Sequence, residues 1–511
     1  MEKPNARPFA SGPEPSHSSR WPWVITIGSL LVVLLALFLP RPRTSPGPLD
    51  SANAAKQIAL AHGAGTGRSR LSRGVSGTAL TPEQIVAGKV TQFAQDRLRI
   101  AHAMAERFKV SVAPDVERFF QAVAEGRWED LNAAFKALRQ RRESGNGEDL
   151  GVLWGPILDA QLIAECAHDW PAQKLLDYGD ATLGSLRPGM VYVGGTDPGR
   201  GIPTLLNETS EGERRIVITQ NALADASYLQ YLSFLYGDRV TTLTTEDSQR
   251  AFQDYIADAQ KRLAHDQQYP DEPNQIRPGE DIQMVDNHVQ VSGQVAVMGI
   301  NENLLHAFMA KNPDLSFALE ESFPLKSTYP NAVPLGPLME LGVQDAQASF
   351  TRETATQAVS YWRDTAQQML SDAEAGADSP DRLTYAKMAA AQAALLVDHQ
   401  YSAEAEQAYR LAMQISPASP EAVYGLGQLL ATTGRADEAR QLVADFERAH
   451  PSKDPAPVWK YWRLQTPASS KRGLEVCVRC GGVAKLHSRG IPFELLTLES
   501  HGNYAQQSQF S

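Results

Sequence analysis

Apolar positions follow three rhythms along this chain. The first is an unbroken run, Trp21 to Pro40 (WPWVITIGSLLVVLLALFLP), with no charged residue inside it and Arg20 and Arg41 at its ends. Roughly 20 such residues at about 1.5 Å each span about 30 Å of hydrocarbon, and Trp21 and Trp23 suit the interface. This predicts one N-terminal transmembrane helix, a signal anchor over 21–40 behind a short tail at 1–20. A cleaved signal peptide is the competing reading, since Ala52-Asn53-Ala54 has a small-x-small pattern, but that triplet lies far past the apolar core. Residues 41–80 are rich in Pro, Gly, Ser and Ala and read as a flexible linker.

The second rhythm is helical. Over 81–149, Thr81 can cap, Pro82 fits the first helical position, and Ile85, Val86, Val90, Phe93, Leu98 and Met104 recur at helical spacing. A second pair of helical runs, Asp115–Phe120 and Trp128–Phe135, breaks at Gly126 like an αα-hairpin. The third rhythm, over 150–342, alternates short β-rich runs with helices. Strands are predicted at Met190–Val193, Arg215–Thr219, Val240–Leu243, Ile282–Val285, Val289–Val291 and Phe317–Leu319, with helices at Asn221–Leu235, Thr245–Ala264 and Val295–Lys311. The alternation implies an α/β central domain with a partly parallel sheet, and Asp286-Asn287-His288 implies a hairpin that makes one edge antiparallel.

Helical spacing returns over 343–455 as an internal repeat. Ala405, Tyr409, Ala412 and Pro417 superpose on Ala439, Val443, Phe446 and Pro451 at an offset of 34 residues. Each unit reads as two helices, with Ala393 and Gly427 where helices approach closely and proline closing the second helix. The pattern resembles the tetratricopeptide repeat family in Tyr385–Pro417 and Pro420–Pro451, with Gln344–Ala373 as a degenerate third unit or a cap. Val423, Leu426 and Gly427 keep the family spacing, while its first-helix tryptophan is missing from both units. The fold class is therefore an α/β central domain plus all-α tetratricopeptide-type helical repeats and one N-terminal transmembrane helix. Residues 456–511 form a tail without periodicity and are expected to be poorly ordered.

Composition narrows the function little. The net charge of −11 gives no reason to expect nucleic acid as a partner. Three cysteines cannot staple 511 residues, and Cys477-Val478-Arg479-Cys480 with His487 lacks the second pair that a structural zinc site needs. No nucleophile elbow, metalloprotease helix or phosphate loop is present, so no catalytic residue, metal or cofactor is assigned. His288 and His306 have no partner at ligand spacing and read as ordinary histidines.

The candidate site is Gly194-Gly195-Thr196-Asp197-Pro198-Gly199-Arg200, a glycine-rich turn between a strand and a helix. Such turns let backbone approach a ligand, and the helix start offers free N–H groups to an anion. Gly194, Gly195, Thr196, Asp197 and Arg200 at one strand end could meet Asn221 and Asp225 at the next, holding a glycan or phosphate. The alternative is that the glycines only make the corner and that Asn221 and Asp225 cap a helix. Glu246 and Asp247 sit at a helix start, where capping is the simpler role.

The turn, followed by Thr219–Leu232 (TQNALADASYLQYL), Glu246–Tyr255 (EDSQRAFQDY), Val291–Val297 (VSGQVAV) and Glu321–Leu325 (ESFPL), resembles the soluble carboxyl-terminal part of bacterial O-mannosyltransferase-like membrane proteins. The likeness covers about residues 175–342. Those relatives carry many spans and this chain a single one, which implies a detached accessory domain rather than a self-contained transferase. The resulting expectation is a scaffold or accessory factor in a bacterial envelope assembly, anchored in the inner membrane with its bulk periplasmic or extracytoplasmic. It meets other proteins through its repeats and the membrane through 21–40. The rival is a glycan- or phosphate-handling enzyme with its site at Gly194–Arg200.

Overall fold

The computed structural model describes residues 80–451, apart from 146, 278–279, 286–287 and 373–375. The span at 21–40, the tail at 456–511 with Cys477 and Cys480, and the linker except Leu80 lie outside the described residues. Within them the chain is largely helical with a small mixed sheet.

Helix α1 (Pro82–Phe108) starts in a capping box: the Gln84 amide N–H donates to Thr81 Oγ1 at 3.3 Å, and the Thr81 N–H to Gln84 Oε1 at 3.0 Å. Its buried stripe, Val86, Val90, Phe93, Arg97, Ile100 and Met104, has the three-and-four spacing of one helix face. Helices α2 (Pro114–Ala124) and α3 (Trp128–Glu143) form the predicted hairpin, followed by α4 (Glu148–Asp169) and α5 (Ala172–Gly184).

Over Asp149–Asp169, α4 is apolar and long enough to cross a membrane, with mean hydropathy 1.2. Its surroundings make it a core helix. Leu150, Leu153, Trp154, Ile157 and Ile163 are buried. Asp159 accepts a hydrogen bond from Tyr231 Oη at 2.7 Å and lies 3.3 Å from the buried Arg97 guanidinium.

The main sheet contains β1 (Val191–Gly194), β2 (Val217–Thr219), β5 (Phe317–Glu320), β6 (Val333–Leu335) and β7 (Leu338–Leu341), in the order β2-β1-β5-β7-β6. Strand β1 pairs in parallel with β2 (Val193 opposite Ile218) and β5 (Val193 opposite Leu319); β7 runs antiparallel to β5 and β6. Both β1 and β5 are buried along their whole length, as central parallel strands are when helices cover both faces. Helix α6 (Asp197–Glu208) connects β1 to β2, and α7 (Ala226–Tyr236), α8 (Thr245–Gln268) and α9 (Gln294–Lys311) lie between β2 and β5.

Three expectations for this region change. Val240–Leu243 is not a strand: Val240 and Leu243 are buried, but the backbone is satisfied by a side chain, Thr241 N–H donating to Asn312 Oδ1 at 2.8 Å and Asn312 Nδ2 to Thr241 O at 3.0 Å. The hairpin of β3 (Asp281–Val285) and β4 (His288–Ser292) forms, but as a separate two-stranded sheet packed on α8 and α9. The antiparallel edge of the main sheet is β6–β7 instead, two short strands around the left-handed Gly336 that carry too few alternating residues to stand out.

The carboxyl-terminal helices are α10 (Ala346–Ser349), α11 (Arg352–Ser371), α12 (Pro380–Asp398), α13 (Ser402–Ile415), α14 (Pro420–Thr432) and α15 (Ala436–Ala449). Ala393 is fully buried, and Gly425 lies so close to the Tyr409 ring that no larger residue fits. Helix α12 is enclosed on nearly every side. Gln392 shows why: its Nε2 donates to Gly336 O and Leu338 O, both at 2.7 Å, while its Oε1 accepts from Trp362 Nε1 at 2.8 Å. The first helix of the repeat array is thereby fixed to the sheet edge and to α11.

Candidate functional site

The chain leaves β1, turns one way through α6 to β2, and later returns across β1 to β5. The crevice at the carboxyl ends of β1 and β5 is therefore a topological switch point, where open α/β sheets usually bind ligands. The glycine turn sits in that crevice, on the β5 side of β1, whereas the sequence pattern points to the β2 side.

A side chain of the protein itself fills it. Glu320, the last residue of β5, accepts hydrogen bonds from the Gly195 and Thr196 N–H groups, each at 2.8 Å to Oε2, and from Thr196 Oγ1 at 2.8 Å to Oε1. Thr196 also caps α6, its Oγ1 accepting from the Gly199 N–H at 2.9 Å. The anion seat that this turn offers thus holds a carboxylate that is 1% exposed. A Cβ on Gly195 would come within 2.5 Å of Glu320 O and Ser322 N, and one on Gly199 would collide with the Glu320 carboxylate. Both glycines are needed to let Glu320 in.

The remaining candidates divide. Asp225 caps α7, accepting from the Ser227 N–H at 2.7 Å and the Tyr228 N–H at 3.4 Å. Asn221 is not a cap: its Nδ2 donates to Gly195 O and to Ser322 Oγ, both at 3.2 Å, which ties the β2 end to the turn. Asp197 and Arg200 face one another on α6 at 3.5 Å, Arg200 nearly buried and Asp197 about one-third exposed. Asp247 forms a capping box with Thr244 at the start of α8, as anticipated. His306 hydrogen-bonds Ser327 Oγ at 2.8 Å.

Four residues that the sequence did not single out belong to this crevice. Besides Glu320 and Ser322, Gln220 is fully buried beside Gly195, and neither polar atom of its amide has a hydrogen-bond partner among the described residues. Glu165, on α4, is pushed up to about 7 by burial and by the charges of Asp197 and Asp169, against the pull of Arg200. Its neighbour Cys166 packs against the start of α6, and burial pushes its thiol well up. A carboxylate directly after a predicted strand was the available sign for Glu320; Glu165 has none, because it comes from a helix distant in sequence.

The next residue faces the other way. Glu321 accepts from Tyr329 Oη at 2.7 Å and from the Leu325 N–H at 3.1 Å, and burial lifts its carboxyl to about 8 despite those bonds. Tyr329 in turn meets His399 at the end of α12, whose Nε2 lies 2.8 Å from Tyr329 O. Consecutive glutamates thus link the glycine turn to the repeat array.

Two of the clefts on the described surface lie away from the turn. One, of about 240 Å³, lies between α5 and α11 around Lys174, Asp177, Tyr361 and Tyr385. The other, of about 490 Å³, lies between α1, the α2–α3 turn and the α4–α5 corner. Among the described residues no group of three His, Cys, Asp or Glu side chains can hold a metal ion.

No curated protein and no solved structure matches this chain. Residues 401–459 match the tetratricopeptide repeat family, a segment that takes in α13, α14 and α15 but not the central region at 175–342, so the chain carries repeats of a kind that mediates protein–protein interaction.

Proposed function

We propose that this protein is a membrane-anchored scaffold or accessory factor in a bacterial envelope assembly, held in the inner membrane by residues 21–40 with its bulk outside the cytoplasm. The observation that carries the non-enzymatic reading is Glu320. Its carboxylate occupies the loop amides that a phosphate or substrate carboxylate would need, and it sits on the fixed end of a buried strand. The repeat match at 401–459 supports a role in binding other proteins, and the motif resemblance over about 175–342 supports a link to glycan handling. The test is thermal unfolding with sugar phosphates, nucleotide sugars and glycans, run beside crosslinking of the intact chain in membranes. A scaffold gives no ligand shift and discrete crosslinked protein partners that disappear when residues 401–451 are deleted. A shift of several degrees with one ligand class, lost in Arg200→Ala, overturns it.

The second reading, a glycan-handling enzyme at Gly194–Arg200, draws on one observation: a carboxyl raised to about 7, Glu165, beside Asp197 and Arg200. An acid poised near neutrality beside a second carboxyl group and a guanidinium is the kind of arrangement that acid–base chemistry uses. If that reading holds, Glu165→Gln abolishes turnover of a glycan substrate while leaving the unfolding temperature within a few degrees.

A further inference from the structure

Three helix pairs in this chain turn the same corner. Between α14 and α15, Thr433 N–H donates to Leu429 O at 3.0 Å, Gly434 N–H to Ala431 O at 3.3 Å and Arg435 N–H to Leu430 O at 2.8 Å. Between α12 and α13, His399, Gln400 and Tyr401 make the same bonds to Leu395, Val397 and Leu396 at 3.2, 3.0 and 2.9 Å. Between α2 and α3, Glu125, Gly126 and Arg127 bond to Gln121, Val123 and Ala122, all at 3.0 Å. The middle residue is left-handed in every case, at φ 86°, 65° and 66° respectively. Arg127 pairs with Asp130 as Arg435 pairs with Glu438, at the same spacing. The hairpin at 114–143 therefore turns through the same helix-ending corner as two of the carboxyl-terminal helix pairs, at the opposite end of the described chain.

Unlike α12, which the sheet edge covers, this hairpin borders an open cleft, the one of about 490 Å³. Its lining is apolar: Val86 and Val90 from α1, Leu131 from α3 and Trp170 at the α4–α5 corner. Trp128 and His168 stack at 3.9 Å beside it. Carboxylates dominate the rim. Glu83 and Glu125 line it, both exposed, and the lining holds no lysine or arginine. The nearby Arg127 guanidinium is shared between Glu125 and Asp130. The acidic total of the chain, −11, adds long-range attraction for a cation.

We propose that this cleft docks a cationic peptide segment of another protein, an aliphatic side chain seated on the apolar floor and flanking basic groups on Glu83 and Glu125. Apolar anchors supply affinity in such a groove, while the rim charges set specificity and encounter rate. The site is separate from the carboxyl-terminal repeats, so its failure would leave the scaffold reading standing.

The test is fluorescence anisotropy of the full chain with a labelled peptide of alternating arginine and leucine, against one of glutamate and leucine and one of arginine and serine. The arginine–leucine peptide alone should bind. Its affinity should fall about tenfold in Glu83→Lys/Glu125→Lys, the scale of two exposed ion pairs reversed. Glu353→Lys on α11 should leave it unchanged. Equal binding of either control peptide, or indifference to the double variant, overturns the proposal. So does a gain of binding when Arg68, Arg70 and Arg73 are changed to Ser, because the occupant would then be this chain's own segment.

Discussion

The crevice at the ends of β1 and β5 and the cleft beside Trp128 are built from opposite kinds of residue. The crevice announces itself in sequence through glycines, an acid and an arginine, yet apart from the Gln220 amide its main polar groups are spent on one another: Glu320 takes the loop amides, Asn221 the Gly195 carbonyl, Asp225 its own helix. The cleft has no motif at all, only apolar side chains and a few polar ones from three separate stretches, and it is open among the described residues. Residue types that suit a ligand also suit a tight internal joint, and only the partner distances separate the two uses.

The sharpest way to break this comparison is Glu320→Ala. Removing the carboxylate leaves two buried N–H groups and a hydroxyl without their acceptor, which should cost about 3–5 kcal/mol of stability in urea unfolding. Glu320→Gln should cost less, because an amide oxygen can still accept from the turn. A loss within about 0.5 kcal/mol for the alanine variant would mean that the turn is satisfied without Glu320 and that the crevice is an available anion site after all.

A pH series sharpens the same contrast. Glu321 is raised from an ordinary 4.5 to about 8 and Glu165 to about 7, so the folded protein binds protons that the unfolded chain releases. Their contribution is fully present below about pH 4.5 and is lost as pH rises through 7 and 8. Thermal unfolding temperature should therefore fall between about pH 5 and pH 8 by more in the native chain than in Glu321→Gln, with Glu165→Gln removing a smaller part. Parallel curves for the native chain and Glu321→Gln would mean that Glu321 is ionised in the fold.

Much of this architecture could be read from the residues. The capped start of α1, the break at Gly126, the strands at Val191, Val217 and Phe317 and the two carboxyl-terminal helix pairs follow from local periodicity, capping and left-handed glycine. Pairing between distant segments did not: Asn312 replacing a neighbouring strand for Thr241, the β6–β7 edge, Glu320 in the turn and Glu165 beside Asp197 each join positions whose spacing carries no period. The repeat-like turn at 125–127 is a middle case, visible as a break but identified as the same corner only by its hydrogen bonds.

That shared corner makes a smaller prediction. Gly126→Ala and Gly434→Ala each place a Cβ on a left-handed residue with open space around it, so each should cost about 1 kcal/mol and by similar amounts. Asn in either place should cost less, because it tolerates that conformation. A large difference between the two glycines would show that the corners differ in build despite their common bonds.

The smallest effect is expected where the cleft is open. Glu83 and Glu129 are exposed at helix starts, and their replacement removes a favourable but solvent-screened interaction with the helix dipole. Glu83→Gln and Glu129→Gln should each leave the urea unfolding midpoint within measurement error of the native chain. Trp128→Phe keeps a ring against His168 and should stay in the same range. A clear fall in the midpoint for Glu83→Gln or Trp128→Phe would show the rim to be as internally committed as the Glu320 crevice, and the two regions would cease to differ in kind.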